Sequence, residues 1–171
     1  EVLAGQYLDV YSEVLDTEDA SSALQRALNV IRFKSAKYSC EHPFTIGGSL
    51  ALQARALESG AGAISEEHPV LAGYRAFGLP LGEGFQLRDD ELGVFGRPEV
   101  TGKPAGDDLR EGKRTVLVAL TSAALSEQEA ALLHDSLGNP DLSDEQVERI
   151  RELMVSSGAF AEHERLIEQK S

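Results

Sequence analysis

Residues 85–115 read FQLRDDELGVFGRPEVTGKPAGDDLREGKRT. The stretch opens on adjacent carboxylates, Asp89 and Asp90, crosses a loop holding Gly102 and Lys103, and closes on Gly112 and Lys113. On a helix, Gln86, Asp89, Asp90 and Gly93 stand at i, i+3, i+4 and i+7 and share one side, with Gly82 one turn earlier. A flank of glycines and carboxylates leaves room for a ligand close to the helix backbone. Paired carboxylates suit a hard cation such as Mg²⁺, which takes oxygen ligands and keeps several waters while bridging to a phosphate. The lysines that follow would neutralise that phosphate as point charges. Acids for a metal and lysines for a phosphate describe a site for polyphosphate esters. A solvated acidic helix followed by a basic loop meets the same spacing equally well.

The rest of the chain is patterned for helices. Val2, Leu3, Tyr7, Leu8, Val10, Tyr11, Val14 and Leu15 recur at helical spacing over residues 1–16, with Gln6 and Asp9 at i, i+3 beside them. The acidic turn Asp16-Thr17-Glu18-Asp19 offers caps for a second helix over 20–38, packing through Leu24, Leu28, Val30 and Ile31. Lys34 continues a stripe with Ala27 and Val30 that leads toward an interior, but a lysine in the last turns of a helix is more commonly a charge complementing its dipole, and Lys37 reads as surface. Pro43 suits the first turn of another helix that includes Ile46, Leu50 and Leu57. After a break at 60–65, Pro69 opens a helix holding Leu71, Tyr74 and Phe77. Pro80 leaves open whether 67–95 is one kinked helix or two. Residues 96–112 read as loop. Ser126 with Glu129 and Ser143 with Gln146 are two capping boxes. Gly138-Asn139-Pro140 ends the first of these helices, and residues 160–170 form a helical tail. Period-2 alternation is almost absent, so the fold class is all-α.

Composition narrows the function. The 171 residues suffice for one domain with a real core. A net charge of −13 argues against nucleic acid or an anionic membrane surface as partner. The single cysteine, Cys40, allows no internal disulfide and fits a reducing, cytoplasmic compartment. No apolar run approaches the roughly 20 residues of a membrane span. The four histidines, at 42, 68, 134 and 163, have no mutual metal-ligand spacing. Gly106 to Lys113 superficially matches a phosphate-binding P-loop, but its spacing is one residue too long, Arg114 replaces the Ser/Thr, and no strand precedes it.

FQLRDD followed by TGKPAGDD and EGKRT resembles the second aspartate-rich region of the trans-isoprenyl diphosphate synthases, or polyprenyl synthetases. That family includes the farnesyl and geranylgeranyl diphosphate synthases. GQYLD (residues 5–9) and FKSAKY (33–38) are similar to its GQ-x-x-D and Lys-Thr motifs, so the likeness runs from the start to about Thr115. It implies an isoprenoid-synthase helical bundle, of which residues 1–171 are the C-terminal part of a single polyprenyl synthetase domain. The family's first DDxxD motif and its isopentenyl-diphosphate-binding lysine and arginines would precede Glu1, so the bundle is expected to be incomplete.

The same resemblance implies Mg²⁺-dependent condensation of an allylic diphosphate with isopentenyl diphosphate, by ionisation, condensation and proton loss. It makes Asp89 and Asp90 metal ligands, and Lys34, Lys103 and Lys113 diphosphate ligands. It turns Lys34, Ser35, Gln86 and Asp89 toward the reacting centre, and makes Gln6, Asp9 and Phe85 site wall. Gly93 stands where many members carry a third acid, which leaves Asp89 dominant in metal binding. Asp107 and Asp108 are either a second metal pair or, as family precedent favours, a tie for the loop. The family is typically homodimeric. With the other half missing, the apolar faces of 1–16 and 20–31 are expected to be uncovered. The alternatives are a terpene cyclase of the same fold and a non-catalytic synthase-like subunit.

Overall fold

A computed structural model describes residues 1–13, 19–102 and 104–170. Of the expected acidic turn only Asp19 is described; its other residues, the apolar positions 14 and 15, and Lys103 lie outside the described residues. Those described form helices joined by turns and loops, with no strand among them.

Helix α1 (Val2–Glu13) is followed by α2 (Ala20–Val30). Asp19 caps α2 by accepting from the Ser21 and Ser22 amides, each at 3.1 Å, the arrangement expected of an acidic N-cap. The chain then does not break. Ile31–Glu41 winds more widely as a π-helical segment, and α3 (His42–Glu58) continues it. The sequence places a helix end near Tyr38 and a fresh start at Pro43, but the backbone stays right-handed helical through Val30, Ile31, Glu41 and His42. Pro43 is tolerated because its missing N–H falls at the junction where the ladder changes. The His42 amide still bonds Lys37, five residues back.

Helix α4 (Pro69–Phe95) is a single 27-residue element with Pro80 inside it, which answers the open question over 67–95. It crosses the π segment closely at Gly82, where a Cβ would lie 2.7 Å from the Ala36 Cα and 2.8 Å from its carbonyl oxygen. A glycine flank was expected to admit a ligand. At Gly82 it admits a neighbouring helix backbone instead. The loop region contains two short helices, α5 (Pro98–Thr101) and α6 (Asp107–Glu111). Helices α7 (Val116–Ala124), α8 (Glu127–Ser136), α9 (Asp144–Ser156) and α10 (Ala159–Glu168) complete the chain, and both capping boxes form as the sequence requires.

Two apolar clusters hold these elements. Val94, Leu109, Leu117, Leu133, Val147, Ile150 and Met154 form the larger one, between the end of α4 and helices α6–α9. Ala27, Ile31, Leu87, Val116 and Ile167 form the second, which joins α2, α4, α7 and α10. The second cluster corrects one expectation: the 20–31 face is covered, because α7 and α10 pack on it. The α1 face is not covered. Leu3, Tyr7, Val10 and Tyr11 are exposed, and α1 buries Gly5 instead, where a Cβ would sit 2.7 Å from the Lys34 Cα.

Helix α10 braces α4 from behind. Arg88 bonds Glu91 at 2.8 Å and Glu164 at 3.2 Å. The His163 Nε2–H donates to the Leu87 carbonyl at 2.9 Å. Lys170 and Arg32 both reach Glu83, at 2.7 and 2.8 Å, so one carboxylate ties α10, α4 and the π segment together. Burial would raise the Glu83 carboxyl, but the hydrogen bonds from Lys170 and Arg32 outweigh it and hold it below its usual value. Burial, and after it the hydrogen bond with Glu164, raise the Glu91 carboxyl to about 7.

Candidate active site

The π segment and α4 are packed closely at Gly78 and Gly82, and both line a cavity of about 250 Å³. Its wall takes Asp9 from α1, Ala27 and Val30 from α2, and Ile31, Lys34 and Ser35 from the π segment. Gln86, Asp89 and Asp90 come from α4, and Lys113, Arg114 and Thr115 from the turn before α7. Four separate stretches of sequence therefore meet at one place.

Several of these polar groups are held by one another or by the backbone. The Lys34 ammonium bonds the Asp9 carboxylate, which the close approach of α1 at Gly5 makes possible. Gln86 donates to both acids, at 3.2 Å to Asp89 and 2.9 Å to Asp90. Thr115 is buried and caps α7 by accepting from the Val118 amide at 3.3 Å. Asp90 is buried, and burial is the main reason its carboxyl is raised to about 7. The Gln86 hydrogen bond opposes that rise, while the carboxylates of Asp108 and Asp89 add to it. An acid cluster under this strain is relieved by positive charge, which is what a cation site offers its ion.

Asp108 is buried at 4% exposure, and its carboxylate occupies the space a side chain at Gly93 would need. It bonds the Lys113 ammonium, which also reaches Glu111 at 3.0 Å. Burial alone would lower the Lys113 ammonium, but the hydrogen bonds to Asp108 and Glu111 prevail and raise it. Of the two roles open to Asp108, the one it visibly performs is that of a tie. Asp107 shows no comparable bond among the described residues.

Lys34, Ser35, Gln86, Asp89, Asp90, Asp9 and Lys113 thus share one cavity. Two expected wall residues do not reach it. Gln6 is exposed on the surface of α1, and Phe85 is 68% exposed and lines a separate groove with Phe77, Leu81 and Lys170. Gln86 lines the cavity, whereas its neighbour Phe85 is turned to that outer groove. Arg114 and Thr115 line the cavity without having been singled out. The signal available was that Arg114 follows Lys113, extending the cationic end of the stretch.

A helical bundle that turns carboxylates and cations into one cavity is the architecture of the isoprenyl synthases. The geranylgeranyl pyrophosphate synthase of Corynebacterium glutamicum, solved in complex with isoprenyl diphosphate and magnesium, superposes with a TM-score of 0.82 at 38% identity. It matches 99% of this chain and 43% of its own. The chain belongs to the polyprenyl synthetase family, whose family model matches residues 1–154. It is 38% identical over 115 residues to the (2E,6E)-farnesyl diphosphate synthase of Mycobacterium tuberculosis, covering 66% of this chain and 32% of that one. To the geranylfarnesyl diphosphate synthase of Aeropyrum pernix it is 33% identical over 161 residues, covering 94% and 43%. The chain therefore spans about a third to under a half of the length of these relatives.

Proposed function

We propose that this chain forms the second part of a polyprenyl synthetase domain that condenses an allylic diphosphate with isopentenyl diphosphate to a longer trans-prenyl diphosphate. The observation that carries the reading is the meeting of Lys34, Gln86, Asp89, Asp90 and Lys113 around one cavity.

Asp89 and Asp90, bridged by the Gln86 amide, fit Mg²⁺: they are hard oxygen donors, crowded enough to gain from a cation, and open to a cavity. Among the described residues they stand as a pair, with no cluster of three or more His, Cys, Asp or Glu side chains able to hold a metal, so most of the ion's shell would come from water and substrate. When bound, magnesium would neutralise the diphosphate and polarise the allylic C–O bond. Lys34 and Lys113 hold the diphosphate as it departs with the electron pair of that bond. The Ser35 hydroxyl and Gln86 face the reacting carbon. The isopentenyl double bond attacks the allylic cation, and loss of a proton completes the product. The apolar wall at Ala27, Val30 and Ile31 keeps water from the cation. The protein is read as cytoplasmic and homodimeric. The exposed apolar side chains of α1, with Ile46, Leu50 and Phe77, are surface that further chain or a second copy would cover.

The test is incubation of the protein as encoded with labelled isopentenyl diphosphate, allylic diphosphates of several lengths and Mg²⁺. Chain-extended diphosphate with release of pyrophosphate is expected. A hydrocarbon or alcohol product would assign a cyclase, and a folded protein without product would assign a non-catalytic subunit.

A further inference from the structure

Gly93 and Asp108 form a notch and its occupant. A Cβ at position 93 would overlap the Asp108 carboxylate, including its Oδ1 at 2.9 Å, and the three nearest atoms to that Cβ all belong to Asp108. The acid reaches the notch through the geometry of α6. Gly112 takes a left-handed conformation, φ 78°, and its amide bonds the Leu109 carbonyl at 3.2 Å, while the Lys113 amide bonds the Asp108 carbonyl at 3.1 Å. This pair of bonds is a Schellman motif, and it folds Lys113 back over Asp108. The two residues then meet a second time through their side chains, where Asp108 Oδ1 accepts from Lys113 Nζ. A lysine ammonium has three donors. Asp108 and Glu111 take one each, and Lys113 stands in the cavity wall.

On the reading of this cavity as a diphosphate site, we infer that Asp108 is a positioning residue. Seated in the Gly93 notch, it fixes the Lys113 ammonium so that its remaining donor faces the substrate's diphosphate. A free lysine side chain loses rotamer freedom when it is fixed. Here that ordering is done before the ligand arrives, which favours binding. Gly93 is accordingly a glycine because the place of its side chain is taken by a carboxylate from another helix. Asp108 touches neither the reacting carbon nor the leaving oxygen in this account, and it serves the diphosphate by way of Lys113.

The experiment is calorimetric titration of the protein as encoded with inorganic pyrophosphate in excess Mg²⁺, with thermal unfolding of every variant. Asp108→Asn keeps the shape and removes the charge, and is expected to weaken binding about tenfold, or about 1.4 kcal/mol. Lys113→Ala should weaken it at least as much, and the double variant no further than Lys113→Ala alone. Gly93→Ala expels the carboxylate and should lower both the unfolding temperature and the affinity. Combining it with Asp108→Ala relieves the clash, so the unfolding temperature should recover while the affinity does not. Recovery of both would reduce Asp108 to a packing element and overturn the inference. So would tighter binding by Asp108→Asn, which would make the acid a competitor for Lys113. If Gly93→Ala does not fold, the Asp108 and Lys113 series decides alone. Wild-type protein that binds no pyrophosphate would overturn the diphosphate reading itself, and the inference with it.

Discussion

Lys34 and Asp9 are ion-paired in the wall of the cavity, one from the π segment and the other from α1. The pair is partly exposed, so it contributes no more than about 1 kcal/mol to stability. Lys34→Ala is therefore expected to leave the unfolding temperature nearly unchanged. It should weaken Mg-pyrophosphate binding by about tenfold or more, since hydrogen bonds to charged groups contribute about 1.5–3 kcal/mol. Lys37 lies three residues on, pairs with Glu1 at 3.3 Å and is absent from the cavity wall. Lys37→Ala should change affinity less than about twofold. Equal effects from the two variants would remove Lys34 from the site.

In the protein as encoded, Asp89→Ala should slow turnover by about 10²–10³-fold while weakening allylic substrate binding far less, as expected for a group that acts on charge developing at ionisation. Steady-state kinetics at saturating Mg²⁺ separates the two. A rise in KM at unchanged kcat would place Asp89 in ground-state binding only.

Two glycines of α4 should respond in opposite directions to the same change. Gly73 has nothing within 4 Å of its missing Cβ, so Gly73→Ala is expected to stabilise the protein by about 0.5–1 kcal/mol through helix propensity. Gly82→Ala drives a methyl into the Ala36 backbone and should cost about 1–3 kcal/mol. Because that crossing sets the distance between Lys34 and Asp89, it should also reduce activity without touching substrate. Chemical denaturation of both variants reads the difference.

The parts of this architecture visible in the sequence are those decided locally. The capping boxes at Ser126 and Ser143 form because donor and acceptor lie within four residues. Spacing alone was enough to place Gln86, Asp89 and Asp90 on one side of a helix. What the sequence hid depends on partners far along the chain. The unbroken rod from α2 to α3 needs a π widening that no propensity scale marks, and Pro43 argued for a break. Periodicity showed that α1 has an apolar face but not that α1 would bury Gly5 and leave that face exposed. The match of Gly93 to Asp108 requires the fold of α6 and its glycine cap, fifteen residues downstream. The resemblance placed Phe85 in the site wall, and its exposed ring lies instead in the outer groove with Phe77 and Leu81.

His163 makes stability depend on pH. It is fully buried, its Nε2–H is committed to Leu87, and its Nδ1 has no hydrogen-bond partner among the described residues. Burial lowers its pKa, outweighing the Leu87 bond and nearby Glu164. The unfolded chain therefore binds the proton more readily than the folded one. The stabilisation is complete above the ordinary histidine value of about 6.5, and is lost as pH falls from there through the folded value. Denaturation of wild type and His163→Leu from pH 7.5 to 5 should show a steeper decline in the wild type, by up to about 1.4 kcal/mol per pH unit. Parallel curves would mean that His163 does not titrate differently in the two states.

The last expectation concerns these 171 residues expressed by themselves: they should fold but form no prenyl diphosphate above background. The cavity supplies one carboxylate pair, so a magnesium ion held there would keep most of its shell as water, and the diphosphate would be bound from one side only. A cation formed under those conditions meets solvent rather than the isopentenyl double bond, because exclusion of water needs a wall on every side. Incubation with labelled isopentenyl diphosphate, an allylic diphosphate and Mg²⁺, beside the intact Corynebacterium glutamicum synthase as positive control, decides the matter. Pyrophosphate binding without product is the expected result. Chain-extended product from these residues alone would show that one carboxylate pair suffices for ionisation and capture, and the two-sided account of the site would have to be abandoned.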